Sequence, residues 1–191
     1  MRYGIVVLII IFFAIVGTIV LIGSTNKNTS SAKTARVTKL VDYENKDGST
    51  ITWTQQGRLL GEDQRKAIRV TVTRNKRTVE ILSGYEERVE RSEDFTNSPA
   101  AFSTFVRALD NANFGRERTV KQPDERGICP TGNRFVYRLT DNGSEVMRTW
   151  SDTCASADGP FGGAAVGAQL MQQLFKAQIT DYQKFTSGVI L

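Results

Sequence analysis

The sequence predicts an α+β fold, in which an N-terminal transmembrane helix precedes a mostly antiparallel sheet of hairpins with two packed helices. Three observations predict this arrangement. The chain opens with an uncharged apolar run, its middle alternates apolar and polar residues between turn signals, and two later stretches carry apolar residues at helical spacing.

The apolar run, residues 4–23, has no charged side chain. A helix of this length spans roughly 30 Å, which is the thickness of the hydrocarbon core of a bilayer. A cleavable signal peptide has a shorter apolar run of about 7–15 residues with a small-residue site close behind it, whereas the best such site here is the more distant Ser30-Ser31-Ala32. We therefore predict that residues 1–23 are a transmembrane signal anchor.

The next segment, residues 24–35, is polar and has no large apolar side chain. It cannot bury enough surface to offset the entropy lost on ordering, so it predicts a flexible tether. Residues 36–191 are enough for a single domain with one core.

Two features disagree about the side of the membrane on which this domain lies. Four basic residues follow the anchor closely while only Arg2 precedes it, which favours the cytoplasm by the positive-inside rule. A pair of cysteines at positions suited to pairing favours an oxidising compartment, as does the short tail before the anchor. We predict a single-pass protein of the cell membrane whose C-terminal domain is extracytoplasmic.

Two hairpins are predicted in the first half of the domain. Segments 37–43 and 49–56 flank a turn at 45–48. Farther on, apolar residues alternate along 68–72 and 79–81, and a turn at Asn75-Lys76 would pair Val72 with Val79.

Two helices are predicted to pack on the sheet. The first begins at Ser98-Pro99, a capping serine followed by proline at the first helical position. Its apolar stripe consists of Ala101, Phe102, Phe105, Val106, Leu109 and Ala112. The stripe of the second helix consists of Val166, Leu170, Met171, Leu174 and Phe175.

Between the helices, the segment 129–154 predicts a hairpin that begins and ends on the chain's two cysteines. Asn142-Gly143 is a strong two-residue turn signal. The turn predicts that Leu139 faces Val146, Tyr137 faces Arg148 and Phe135 faces Trp150. Cys129 and Cys154 then meet at the open end of the hairpin.

These cysteines are predicted to form a disulfide. A zinc site would need further cysteine or histidine ligands, and the chain has no histidine. A redox pair is typically spaced as Cys-x-x-Cys. Free buried thiols remain the alternative. A bridge would close a loop of about 26 residues and contribute roughly 3–4 kcal/mol.

The composition argues against most catalytic chemistry. Without histidine, serine and cysteine triads lack their ordinary base, and the usual metal-hydrolase motifs cannot form. We expect no cofactor and no metal site. Carboxylate pairs such as Glu86 with Glu87 or Asp94 with Asp124, or a Ser-Lys pair, leave an extracytoplasmic hydrolase as an alternative.

A binding surface is easier to derive. Tyr137, Arg138, Arg148 and Trp150 lie on the cysteine-bounded hairpin, and arginines with aromatic rings suit partner recognition. The competing interpretation is that Trp150 belongs to the core. The basic residues between 58 and 77 and the acidic residues between 86 and 94 are interpreted as a mixed solvated surface. With its net charge of +5, the domain would be drawn to anionic lipid or surface polymer.

Several motifs together resemble a known group of proteins. They are the anchor and tether, ILSGY, FVRALDNANFG, ERGICPTGNRFVYRL, a Trp-Ser-x-x-Cys ending and AQITDYQKFTSGV. This combination resembles uncharacterised, N-terminally anchored small envelope proteins of Saccharibacteria and related candidate-phylum bacteria. The resemblance implies an extracytoplasmic domain with paired cysteines and implies no activity.

The sequence thus favours a membrane-anchored binding or interaction module of the cell envelope over an enzyme. Its expected partners are the membrane, an envelope protein or an anionic surface polymer, and nucleic acid is disfavoured. A structural assembly subunit is a further alternative.

Overall fold

The computed structural model describes residues 38–115, 125–154 and 166–191. The predicted anchor, residues 1–23, and tether, residues 24–35, lie outside these ranges. Among the described helices, none is both long and apolar enough to cross a membrane. The described residues fall within one compact unit, Ala35–Leu191.

The predicted α+β class with an antiparallel sheet is confirmed. The elements, in chain order, are a 3₁₀ helix (Leu40–Tyr43), β1 (Ser49–Gln56), β2 (Lys66–Val72), β3 (Lys76–Ser83), β4 (Arg88–Thr96), α1 (Pro99–Asn111), β5 (Arg134–Asp141), β6 (Ser144–Asp152), α2 (Val166–Lys176) and α3 (Tyr182–Thr186). The strands form a six-stranded sheet in the order β4-β3-β2-β1-β5-β6. Every neighbouring pair is antiparallel.

The predicted strand at 37–43 is wrong. Leu40–Tyr43 is a 3₁₀ helix, and Leu40 is fully buried. Since β1 pairs with β2 on one side and with β5 on the other, it has no free edge for a further strand. The 3₁₀ helix instead contacts α1, where the Leu40 amide donates to Asp110 Oδ1 at 3.2 Å.

The β2–β3 hairpin has a register two residues away from the predicted one. Val72 pairs with Arg77, and Val70 pairs with Val79. The two turn residues are 74 and 75, one position before the predicted turn at Asn75-Lys76. Hydrogen bonds close the turn: the Thr73 amide donates to the Lys76 carbonyl, and the Thr73 hydroxyl accepts from the Lys76 amide. A shift of two preserves the alternation, so the predicted apolar face remains inside.

Both predicted helices are present. At the start of α1 the Ser98 hydroxyl accepts from the Ala101 amide, and Pro99 occupies the first turn. This satisfies a backbone donor that the helix itself leaves free. The buried side of α1 consists of Phe102, Phe105, Val106 and Leu109.

Aromatic rings join the helices to one face of the sheet. Phe175 of α2 is fully buried, with its ring centroid 6.0 Å from that of Trp53 in β1 and 6.3 Å from that of Tyr137 in β5. Phe105 of α1 meets it edge-on at 5.2 Å, and Phe114 lies at 6.4 Å. The core therefore lies between the helices and a single face of the sheet.

Strand β4 forms one edge of the sheet. Its side chains are exposed at eight of nine positions, the exception being half-buried Phe95. Most of them are charged, and the strand reads RVERSEDFT. Charges on an edge strand discourage other strands from pairing with it.

Truncating Phe175 should unfold the core more readily than any surface change. Phe175→Ala removes a ring that contacts both helices and sheet, and we expect it to lower the free energy of unfolding by about 3–5 kcal/mol. The measurement is urea unfolding of the purified chain followed by tryptophan fluorescence. The matched control is Leu170→Ala in the same helix, which is 50% exposed and should change the free energy by less than about 0.5 kcal/mol. Equal losses in the two variants would contradict this account of the core.

Stability should decline at acidic pH. Arg107 donates two hydrogen bonds to Glu44, and this lowers the pKa of that carboxyl below its ordinary 4.5. A hydrogen bond from Lys66 lowers the pKa of Glu90, and one from Thr78 lowers that of Asp94. A carboxyl with a lowered folded-state pKa stabilises the fold above its unfolded-state pKa, and this stabilisation is lost as the pH falls through the folded value.

The midpoint of thermal unfolding should thus stay nearly constant from about pH 7 to 5.5 and fall below about pH 4.5. Glu44→Gln should flatten that acid limb, whereas Glu86→Gln, which alters an exposed carboxylate, should leave it unchanged. A Glu44→Gln curve that follows the parent at every pH would refute the role of the Arg107 pair.

Candidate functional site

A bulge in the β5–β6 hairpin determines which side chains face outward. The Asn142-Gly143 turn is present, with Asp141 opposite Ser144 and Thr140 opposite Glu145. The register then shifts, so that Leu139 pairs with Met147 and leaves Val146 as an extra residue. A shift of one residue exchanges the faces of every later position on the strand.

The predicted pairings of this hairpin are therefore wrong. Arg148 lies opposite Arg138 instead of Tyr137, and Trp150 lies opposite Val136 instead of Phe135. Arg138 and Arg148 both occupy the face of the sheet opposite the helices. The bulge thus brings these two predicted site residues together.

They line a cavity of about 640 Å³, which falls in the usual range of ligand sites. The cavity lies over the end of the sheet where β1 ends and β2 and β5 begin. Its lining includes five arginines, namely Arg65, Arg126, Arg134, Arg138 and Arg148. Only two glutamates, Glu87 and Glu125, oppose them, so the charged lining carries a net +3.

Arg65 and Arg134 are the most deeply buried of these arginines, at 4% and 3% exposure. Arg65 donates to the Gly84 carbonyl and Arg134 to the Gly57 carbonyl. Neither forms an ion pair with a carboxylate of the described chain, and the Nε of each has no hydrogen-bond partner there. Burial lowers the pKa of Arg134, and the nearby charge of Arg65 lowers it further, whereas the charge of Glu125 acts in the opposite direction.

Arg138 and Arg148 carry like charges directly opposite each other, which is unfavourable unless it is compensated. Two carboxylates provide the compensation. Arg148 donates to Glu125, and Arg138 Nε lies 3.7 Å from Glu145 Oε2. Glu125 is itself 4% exposed and also accepts from Gln56 at 3.3 Å, so it is held firmly inside the cavity.

The aromatic members of the predicted binding surface lie elsewhere. Tyr137 is fully buried in the core beside Phe175, and burial raises its pKa to about 12. Trp150 is also fully buried, on the face that carries Arg148. Neither ring is available at the surface. The exposed aromatic ring at this cavity belongs to Tyr85, which is 49% exposed and lies 4.6 Å from the Arg65 guanidinium.

The cysteine pairing is confirmed. Cys129 and Cys154 form a disulfide with a Cα–Cα distance of 5.6 Å. The bridge lies next to the cavity wall formed by residues 125–127, and the Ile128 amide donates to the Glu125 carbonyl at 3.1 Å. Pro130 accepts from the amide of Leu59, another lining residue, at 2.8 Å. The disulfide therefore fixes a wall of the cavity to β6.

The same sulfurs belong to a group of three residues whose side chains could in principle bind a metal ion. It is the one such group in the described ranges and consists of Cys129, Asp152 and Cys154. Cysteine binds zinc as the thiolate, and sulfurs joined in a disulfide cannot supply thiolates. The group is therefore a disulfide with a neighbouring carboxylate, whose Oδ1 accepts from the Cys154 amide at 2.7 Å.

Of the carboxylates considered for hydrolysis, only Glu87 lines this cavity in the described part of the chain. Glu87 lines the cavity, but its carboxylate is paired with Arg69 at 3.3 Å. Glu86 is exposed, and Asp124 lies outside the described residues. A glycosidase needs two carboxyl groups free to act on one bond. Both glutamates that line this cavity are instead hydrogen-bonded to arginine.

A Ser-Lys contact does exist, and its lysine lines a second cavity of about 790 Å³ beside residues 187–190. Lys66 Nζ lies 3.5 Å from Ser83 Oγ. The same Nζ lies only 2.5 Å from the carboxylate of Glu90. The lysine is therefore engaged by a carboxylate at a shorter distance than by the serine, which is not the arrangement of a Ser-Lys catalytic pair.

Sequence reasoning missed Arg65 and Arg134. The sequence pattern places Arg65 among the basic residues of a mixed solvated surface and gives Arg134 no site role. One signal could have found Arg134. It lies four residues before Arg138 on the predicted strand β5, and residues at even spacing on a strand share a face.

The comparisons with known proteins add no name. No protein-family model matches the chain, and no curated protein matches it significantly.

Removing the disulfide should destabilise both the domain and this wall of the cavity. The double variant Cys129→Ser, Cys154→Ser should lose about 3–4 kcal/mol of unfolding free energy, because the unfolded chain regains the entropy of the open loop. Urea unfolding with and without reductant measures the loss. Reductant should bring the parent to the stability of the variant and leave the variant unchanged, and a variant as stable as the oxidised parent would contradict the prediction.

Proposed function

We propose that this protein is a membrane-anchored, extracytoplasmic binding module whose arginine-lined cavity recognises an anionic group on a component of the cell envelope. The observation that carries the proposal is the pair Arg65 and Arg134. Both are buried in one cavity and neither is ion-paired with a carboxylate of the described chain. Buried charges are normally paired.

The cavity is prepared for such a ligand before the ligand arrives. Backbone carbonyls of Gly84 and Gly57 hold the two buried guanidiniums, and the ring of Tyr85 stacks on one of them. Groups that are already fixed lose little entropy on binding. Desolvated guanidiniums also interact with anions more strongly than solvated ones do.

The location is supported by two features of different kinds. The uncharged run at residues 4–23 has the length of a membrane span. The Cys129–Cys154 disulfide is typical of proteins in oxidising compartments. Together they support a domain that is tethered at the membrane and folded outside the cytoplasm.

Anion binding can be tested with the full-length chain in a non-ionic detergent. Phosphate esters, sulfate and dicarboxylates are titrated by calorimetry, and the arginine Nε–H resonances are followed by NMR. Arg138→Gln should weaken the binding of the preferred anion about tenfold, the size expected for one hydrogen bond to a charged group.

The matched control is Arg88→Gln. Arg88 is exposed on β4 and does not line the cavity, so this variant removes the same charge elsewhere. Equal weakening in both variants would show that net charge alone attracts the anion. Absence of binding by any anion would refute the proposed function.

A further inference from the structure

We propose that the ligand group is a phosphomonoester, a phosphoryl group that carries two negative charges on an organic carrier. This inference rests on the proposed function and specifies the chemistry of the same cavity. It follows from three features of the cavity: the positive charge of its arginines, the N–H donors of Arg65 and Arg134, and the exposed side chains at its opening.

The uncompensated charge in the cavity calls for two negative charges. Glu125 is already paired with Arg148, and Glu87 with Arg69. Arg65 and Arg134 remain without a hydrogen-bonded carboxylate in the described chain, and each Nε has no partner there. Their charges act on each other, and the charge of Glu125, shared with Arg148, offsets only part of this repulsion. A single carboxylate would neutralise only one of them, whereas a phosphomonoester carries a charge of about −1.5 to −2 at neutral pH.

The donors in the cavity suit three acceptor oxygens. A guanidinium has five N–H groups arranged as a planar fork. Arg65 directs one of its terminal nitrogens to the Gly84 carbonyl, and Arg134 directs one to the Gly57 carbonyl. A phosphoryl group offers three strong acceptors and can accept from both forks together, while a carboxylate has only two oxygens.

The mouth of the cavity offers surface for the organic carrier. Tyr85 is 49% exposed and Leu59 is 37% exposed, and both line the opening. A volume of about 640 Å³ exceeds what a bare phosphate ion needs. The carrier could be a soluble metabolite or a lipid with a terminal phosphate, which present the same group.

The charge on the ligand supplies the test, because the second pKa of a phosphomonoester is about 6. Full-length chain in non-ionic detergent is titrated with glycerol 3-phosphate at pH 7.5 and pH 5.5. The dianionic fraction falls about fourfold between them, so the affinity should fall about fourfold. Sulfate keeps both charges over this range, and its affinity should not change.

The comparison between pH 7.5 and pH 5.5 must separate the charge of the ligand from the charge of the protein. The protein has no histidine, and arginine stays protonated throughout. The ionisable groups that face the ligand are Arg65, Arg126, Arg134, Arg138, Arg148, Glu87, Glu125 and Tyr85. Any change in the charge of these groups would alter sulfate binding as well, so the sulfate titration at the same two pH values is the control for the protein.

Two variants test the role of the Arg134 guanidinium. Arg134→Gln should abolish the pH dependence and weaken glycerol 3-phosphate binding at least tenfold, whereas Arg134→Lys should retain part of the affinity because the charge remains. Thermal unfolding checks that each variant folds. If Arg134→Gln does not fold, Arg134→Lys alone carries the test, and an affinity for glycerol 3-phosphate equal to that of the parent would then contradict the role of the Arg134 guanidinium. Arg88→Gln should leave both the affinity and the pH dependence unchanged.

The outcomes separate the two proposals. Succinate or sulfate that binds as tightly as glycerol 3-phosphate, or glycerol 3-phosphate affinity that ignores pH, would overturn the phosphomonoester and leave anion binding standing. Absence of binding by every anion would overturn both.

The source of the group is tested in phosphatidylcholine nanodiscs that carry the full chain. Phosphatidic acid in the same disc should compete with soluble glycerol 3-phosphate if the carrier is a lipid. Phosphatidylglycerol, a diester with one charge, is the control. Unchanged glycerol 3-phosphate affinity in discs with phosphatidic acid assigns the group to a soluble carrier, and either result supports the phosphomonoester.

Discussion

The contact of Phe175 with rings from β1, β5 and α1 holds the helices on one face of the sheet. These rings are fully or almost fully buried and lie within 6.3 Å of Phe175, centroid to centroid. Burying one such side chain contributes about 1.5–3 kcal/mol. Because the main core is built on one face, the opposite face can hold charged residues beside a few buried apolar ones such as Trp150 and Val136. The arginine cavity lies on that opposite face.

The buried arginines of the cavity lower the stability of the fold locally. Burying a guanidinium without a counter-charge is unfavourable, and here two lie close together. Carbonyls of Gly57 and Gly84 offset part of that penalty, and the disulfide holds the wall that carries Glu125. Such departures from ordinary burial rules are concentrated at functional sites.

Most of the fold could be predicted from periodicity and turn chemistry. The Ser98-Pro99 start of α1 and the Asn142-Gly143 turn are both found where local chemistry places them. Segment 37–43 could not be assigned correctly, because buried Leu40 makes a tertiary contact with α1 and the local pattern does not show this.

The site was harder to predict than the fold, for a physical reason. One extra residue, Val146, changes the face of Arg148 and Trp150, and nothing in the local sequence reveals a bulge there. Arg138 was assigned to the site and does line the cavity. Arg65 reaches it from the start of β2, about 70 residues away in the chain, so only the assembled sheet brings the two together.

The charged edge strand β4 has a consequence for how closely these domains can be crowded. A second sheet could join this edge only by stripping water from a row of charged side chains. That penalty keeps neighbouring copies from extending one another's sheets into fibres. Domains held at high local concentration would thus keep their sheets separate.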